Sequence, residues 1–270
     1  MANFLNRILL KIQFHVFQKF GLYGNDFEHK EKIFSCPFSI QHTEPTNYMQ
    51  IKDVWHPQNW QSQHATNAIQ QYTLKNVYVT QDGVVVKKFS SFLPSIVYPD
   101  FYKRFNNHYA YHQLKLSKQK EKKELFLIWD HWSKQNYYHW IIDSLTRLVI
   151  AIENNTHVHL LLSDEMPQFV KDSLQAFSNV TSTSFPSESI IKASRLHLIS
   201  HPISSGFAIP KYIQAIKHNI LTCSILKSIS FPHYSKIYVS RSRQKLRNVI
   251  NEELVIEFLK KNDFEIIYFE

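Results

Sequence analysis

Two stretches of the chain combine residue types that could do chemistry at spacings that would bring them together. In Asn136-Tyr-Tyr-His-Trp-Ile-Ile-Asp-Ser-Leu-Thr-Arg-Leu148, His139, Asp143 and Arg147 recur every fourth residue. On a helix that spacing drifts only about 40° per step, so the three would form one polar stripe on an otherwise apolar cylinder. A carboxylate that orients an imidazole is what a general base requires. The same stripe also suits an exposed face of i,i+4 pairs, although Trp140, Ile141, Ile142, Leu145, Leu148 and Val149 argue against full exposure. In Ser240-Arg-Ser-Arg-Gln-Lys-Leu-Arg247, four cations fall within seven residues, just before Asn251-Glu252. Carboxyl ends of strands gather ligands and helix N-termini favour anions. Guanidinium forks could there balance a diphosphate directly. A solvated basic loop, or one touching RNA without specificity, has the same composition.

Composition narrows the field. The 270 residues are 44% hydrophobic, 20% charged and 14% aromatic, which is globular rather than disordered. Thirty-one Lys+Arg against 22 Asp+Glu give a formal charge of +9, which favours an anionic partner. Only four glycines are present, so neither a G-x-G-x-x-G turn nor a Walker A loop can be assembled. The two cysteines, Cys36 and Cys223, form no disulfide framework or zinc site and fit a reducing compartment. No two aspartates stand one residue apart, and no run approaches the roughly 18–20 apolar residues of a membrane span.

The elements that must position these residues follow from periodicity. Residues 1–24 read as a basic amphipathic helix, with Phe4, Leu5, Ile8, Leu9, Ile12 and Val16 on one side and Arg7, Lys11, His15 and Lys19 on another. It suits either an anionic bilayer or packing on its own domain. Asn76–Thr80 and Gly83–Lys88 flank a Gln81-Asp82-Gly83 turn, a β-hairpin signal. Lys115–Glu124, with five lysines, reads as a solvated loop or helix end. From there strands are predicted at Leu125–Trp129, Val158–Leu162 and Arg195–Ile199, and helices at Tyr137–Glu153, Asp164–Phe177 and Pro210–Lys227. This alternation predicts a mainly parallel sheet covered by helices. A last strand–helix–strand unit is predicted at Lys236–Ser240, Asn251–Lys261 and Phe264–Phe269, too small to bury a core alone. His131 and Trp132 follow a strand exit and are cleft candidates. His56, His64, His108, His112, His157, His159, His197, His201 and His218 suggest ordinary hydrogen-bonded roles.

Together the two segments resemble a known family. Asn136–Leu148 resembles the N-terminal signature of glycosyltransferase family 61. Ile237-Tyr-Val-Ser-Arg-Ser-Arg-Gln-Lys-Leu-Arg-Asn-Val-Ile-Asn-Glu-Glu-Leu254 resembles the stretch that opens the family's second domain. The resemblance covers about residues 125–270. It implies an α/β, GT-B-like fold: an acceptor-side Rossmann-like domain over 25–232, and over 233–270 only the first strand–helix–strand unit of a nucleotide-sugar-binding domain. It implies inverting transfer from a nucleotide sugar to a glycan or lipid-linked glycan acceptor, in surface or capsular polysaccharide synthesis, with no metal or other cofactor. By position, His139 and Asp143 would be catalytic. Ser240, Arg241 and Arg247 would face the donor diphosphate, and His131, Trp132, Trp140 and Arg147 would line the acceptor cleft. Asn251 and Glu252 match the family motif or simply cap a helix. A cytoplasmic location is implied, peripheral on the inner face of the membrane, with no specific nucleic acid.

Family members continue past the position of Glu270 through a glycine-rich segment. The expectation is therefore a truncated chain with weak donor binding. The alternative is a non-catalytic fragment that binds glycan or a partner.

Overall fold

The computed structural model describes residues 29–35, 37–41, 63–87, 90–96, 116–203, 207–223, 234–243 and 249–268. The predicted N-terminal helix and Arg247 lie outside these. The chain divides into two compact units, Met1–Cys223 and Ser224–Glu270.

In the first unit the strands are β1 (His29–Ser35), β2 (Ser39–Gln41), β3 (Gln63–Ala65), β4 (Ile69–Val79), β5 (Val85–Lys87), β6 (Ser90–Ser91), β7 (Ser117–Leu127), β8 (Val158–Ser163), β9 (Val180–Phe185) and β10 (Ser189–Ile199). Eight of them form one sheet in the order β6-β5-β4-β10-β7-β8-β9, with β1 also paired to β4, while β2 and β3 pair separately. The α/β class stands, but the sheet is mixed. Strands β10, β7, β8 and β9 run parallel, whereas β1, β10 and β5 all pair antiparallel with β4. The mainly parallel expectation fails because strand–helix alternation begins only after residue 125, and the hairpin that precedes it feeds the same sheet.

The alternation of β-strand side chains builds the core. Leu196 lies between Leu74 and Leu125 in register, and Leu198 between Tyr72 and Leu127, all buried. Each such leucine contributes about 1.5–3 kcal/mol by leaving water. The lysine-rich stretch predicted as loop or helix end is instead the first part of β7. Only Phe126 of β7 pairs with β8, so its charged half has β10 on one side and water on the other among the described residues. Lysines on such an edge discourage further strand pairing.

After β7 come α1 (Tyr137–His139), a π-helical stretch (Trp140–Ser144) and α2 (Leu145–Asn154), then α3 (Gln168–Leu174) and α4 (Pro210–Thr222). Every residue from Leu145 to Ala151 is buried. Pro210 opens α4 as predicted, where its missing N–H costs nothing.

The second unit is a strand–helix–strand element: β11 (Ile237–Ser240), α5 (Glu252–Lys260) and β12 (Glu265–Tyr268), with the strands parallel. Asn251 does not cap α5 through its side chain. It sits at φ 60° in the left-handed region, which asparagine tolerates better than most residues. Among the described residues, no helix is long and apolar enough to cross a membrane.

Candidate functional site

The predicted imidazole–carboxylate couple forms. Asn136 caps the helix start, its Oδ1 accepting from the Tyr138 and His139 amides at 3.0 and 3.4 Å. One turn on, His139 Nδ1 lies 2.9 Å from Asp143 Oδ2. The π-helical stretch begins immediately after His139, its wider turn closed by the Leu145 N–H bonding to the Trp140 carbonyl. Such wide turns recur at functional sites because they redirect a side chain without ending the helix. Burial raises the Asp143 carboxyl above its ordinary range, and the hydrogen bond from His139 and the charge of Arg147 oppose that rise. Two exposed aromatic rings stand edge-on to the imidazole, Trp132 at 5.3 Å and Tyr138 at 5.4 Å between centroids.

Beneath this couple lies a charged network that the helix spacing did not reveal. Because every residue from Leu145 to Ala151 of α2 is buried, Arg147 is forced inside and needs a counter-charge. Its Nη2 donates to Asp130 Oδ2 at 2.6 Å, and its Nε to the Asp143 carbonyl at 3.2 Å. Burial pushes the Asp130 carboxyl up, but Arg147, His201 and the Ser133 amide outweigh it and hold it low. The other carboxylate oxygen accepts from the Trp132 and Ser133 amides, which shapes the turn that carries His131 and Trp132. His201 Nε2 is buried 3.5 Å from Asp130 Oδ2, with no hydrogen-bond partner among the described residues. Burial drives its pKa down to about 3.

A second histidine–aspartate couple stands beside the first. His131 Nδ1 is 3.2 Å from Asp82 Oδ1, and that bond raises the imidazole's pKa. Asp82 arrives from the tip of the β4–β5 hairpin. Gly83 permits the approach at φ +73°, where an added Cβ would come within 2.8 Å of the Trp129 carbonyl. Gln81 anchors the same turn, donating to the Pro186 and Ser189 carbonyls and accepting from Ser163 Oγ.

Of the predicted first-unit residues, the structure thus brings together His139, Asp143, His131 and Trp132. Trp140 and Arg147 do not line a cleft. Trp140 is fully buried with Nε1 donating to Ser173 Oγ, and Arg147 is 1% exposed, because both fall on the inward side of the helix. Asp82, Asp130 and His201 were missed, though each lies where a chain leaves a strand, the position at which α/β sheets collect ligands.

In the second unit, Arg241 is exposed at the carboxyl end of β11. Ser240 is not presented to solvent: it is buried, its Oγ 3.0 Å from Ser242 Oγ and 3.1 Å from the Ser242 amide. Nor is the N-terminus of α5 an open anion site. Glu252 and Glu253 occupy its first turn, and Glu252 Oε1 accepts from the Arg241 amide at 2.9 Å and from Tyr238 Oη at 3.0 Å. Burial pushes the Glu252 carboxyl up, yet the Arg241 amide and the Ser240 and Tyr238 hydroxyls hold it below its ordinary value.

Among the described residues, no group of three or more His, Cys, Asp or Glu side chains could hold a metal ion. No curated protein and no solved structure matches the chain. Residues 137–270, which begin at the turn carrying His139 and include the basic sequence from Arg241 to Arg247, match the family model described as Glycosyltransferase 61, and by that match the chain belongs to glycosyltransferase family 61.

Proposed function

We propose that this glycosyltransferase moves a sugar from a nucleotide-sugar donor to a hydroxyl of a glycan acceptor, inverting the anomeric carbon and using no metal. The observation that carries the reading is the His139–Asp143 couple, which lies inside the family segment and between two exposed rings. The acceptor oxygen attacks the anomeric carbon as the bond to the diphosphate breaks on the opposite face. Its proton passes to Nε2 of His139, and Asp143 at Nδ1 balances the imidazolium that results. Trp132 and Tyr138 offer apolar faces with a polar tip, the chemistry that meets a sugar ring. Arg241 and Arg247, permanently charged and able to bind two oxygens each, neutralise the departing diphosphate. Ser240, being buried, supports the loop rather than the phosphates. The wider setting we propose is a GT-B-like enzyme of surface polysaccharide assembly. It would act on a lipid-linked glycan at the cytoplasmic face of the membrane, with residues 1–24 as the peripheral contact.

Incubating the chain with a panel of nucleotide sugars and glycan acceptors, with products read by mass spectrometry and NMR, tests this. His139→Gln is expected to lower kcat by about 10²–10⁴-fold without shifting the melting temperature, and Arg241→Ala to raise KM for the donor. Full kcat in His139→Gln would remove that residue from the proposed role. A product with the donor's anomeric configuration would overturn inversion, and glycan binding without turnover of any donor would make the chain a binding protein.

A further inference from the structure

Apart from the His139–Asp143 couple, the same sheet carries a second concentration of polar side chains. Glu124 and Phe126 of β7 lie opposite Arg195 and His197 of β10, which in turn lie opposite Lys75 and Thr73 of β4. This register surrounds two cavities of about 470 and 380 Å³ that share Glu124 as a wall. Both fall within the roughly 300–1,000 Å³ of small-molecule sites. The larger one reaches Asn154 at the far end of α2, about 20 Å along the helix from His139 at the helical rise per residue.

A relay of hydrogen bonds fixes the shared carboxylate. Asn155 Nδ2 donates to the Ala151 carbonyl at 2.8 Å and to Gln71 Oε1 at 3.1 Å, which sets the orientation of both amides. Gln71 Nε2 must then donate to His197 Nδ1, 2.9 Å away. With Nδ1 accepting, the imidazole proton sits on Nε2 and is donated to Glu124 Oε1. The ring is therefore neutral, in keeping with burial holding its pKa low. The bond from His197 in turn lowers the pKa of Glu124, so a half-exposed, oriented carboxylate stands where the two cavities meet.

The walls on either side differ. The larger cavity is lined by Asn154, Asn155, Thr156, His157 and His159, backed by the buried Phe126 ring that stacks on His197. Uncharged amide, hydroxyl and imidazole groups of this kind suit the hydroxyls of a sugar. The smaller cavity sets Lys75, Lys122 and Arg195 against Glu124 alone, a local excess of positive charge. A ligand filling both must be rich in hydroxyls at one end and acidic at the other.

We propose that the two cavities form one subsite for an anionic oligosaccharide, holding the acceptor chain away from its reacting end. The proposal rests on the reading that the chain works on glycans, but its test does not depend on transfer. Calorimetry on the full chain would compare hexamers of hyaluronan, alginate and polysialic acid with a neutral dextran hexamer and with oligo-uridine. At least one acidic saccharide is expected to bind more tightly than dextran and oligo-uridine. Lys122→Ala with Arg195→Ala, and separately Asn154→Ala with His157→Ala, should each weaken it about tenfold, which is about 1.4 kcal/mol. All four side chains are at least partly exposed, and unchanged near-ultraviolet circular dichroism would confirm folding. Acidic saccharides that bind no better than oligo-uridine, or that bind the variants as well as the parent, would overturn the subsite. His139→Gln should leave this binding intact. Loss of transfer with binding retained would therefore count against the role of His139 alone, while loss of the subsite with transfer retained would count against the subsite alone.

Discussion

A buried arginine, a buried aspartate and a buried imidazole form the base on which His139 and Asp143 stand, and their protonation sets the acid tolerance of the fold. His201 takes up a proton near its ordinary pKa of about 6.5 when unfolded, but only near 3 when folded. Between those values the unfolded chain binds a proton that the native chain refuses, so stability falls as pH drops through that window. Above it the ring is neutral in both states and contributes nothing. The slope cannot exceed about 1.4 kcal/mol per pH unit for one such group. Asp130 adds a decline of the same sign further down the pH scale: its carboxyl is held low, so its contribution is present above the ordinary carboxylate range and is lost as pH falls below it. Urea unfolding at pH 7 and pH 5 should therefore show a midpoint that drops in the parent and drops less in His201→Gln. Some slope persists through His197, whose pKa burial also lowers. Equal declines in parent and variant would mean that His201 is hydrated in solution.

The elements around the site differ in how far local sequence determined them. The helical spacing of His139 and Asp143 was legible because the partners are four residues apart, and the strand exit before His131 was legible because β7 ends in an apolar run. Asp82 was not, since it lies 49 residues from His131 and the hairpin signal says nothing about where its tip lands. The π-helical stretch was equally hidden, because apolar residues at 140–142 read alike in either kind of turn. Strand β9, Val-Thr-Ser-Thr-Ser-Phe, has the composition of a loop, and its place at the edge of the sheet lets those hydroxyls stay wet. The hairpin turn gives the sharpest test at this scale. Gly83→Ala places a side chain in left-handed backbone and against the Trp129 carbonyl. It should cost about 1–3 kcal/mol in urea unfolding. It should also weaken the Asp82–His131 bond, so that His131 titrates nearer its unperturbed value by NMR. Wild-type stability and an unchanged His131 titration would show that the turn does not hold Asp82 in place.

At the scale of the whole molecule, the two units rest on different amounts of buried apolar surface. The first has one contiguous core that includes Leu74, Leu125, Leu148, Phe185 and Leu196. Among the described residues of the second, only Ser240 and Glu252 are buried, and both are polar. Ile250, Leu254 and Phe258 are 88%, 65% and 65% exposed. The expectation that a single strand–helix–strand element buries too little to make a stable core is visible in these values, because a helix on two strands covers only one side of each. Local stability follows buried contacts, so backbone amides in such an element open at low cost. Hydrogen exchange followed by mass spectrometry should therefore show rapid, nearly complete labelling of peptides spanning 237–268 under conditions that leave β10 and α2 protected. In the same measurement Leu148→Ala should cost about 2–5 kcal/mol of protection in the first unit, whereas Phe258→Ser should change global stability by less than about 0.5 kcal/mol. Protection of 237–268 equal to that of β10 would require the apolar side of α5 to be covered in solution, and Phe258→Ser would then be as damaging as a core substitution.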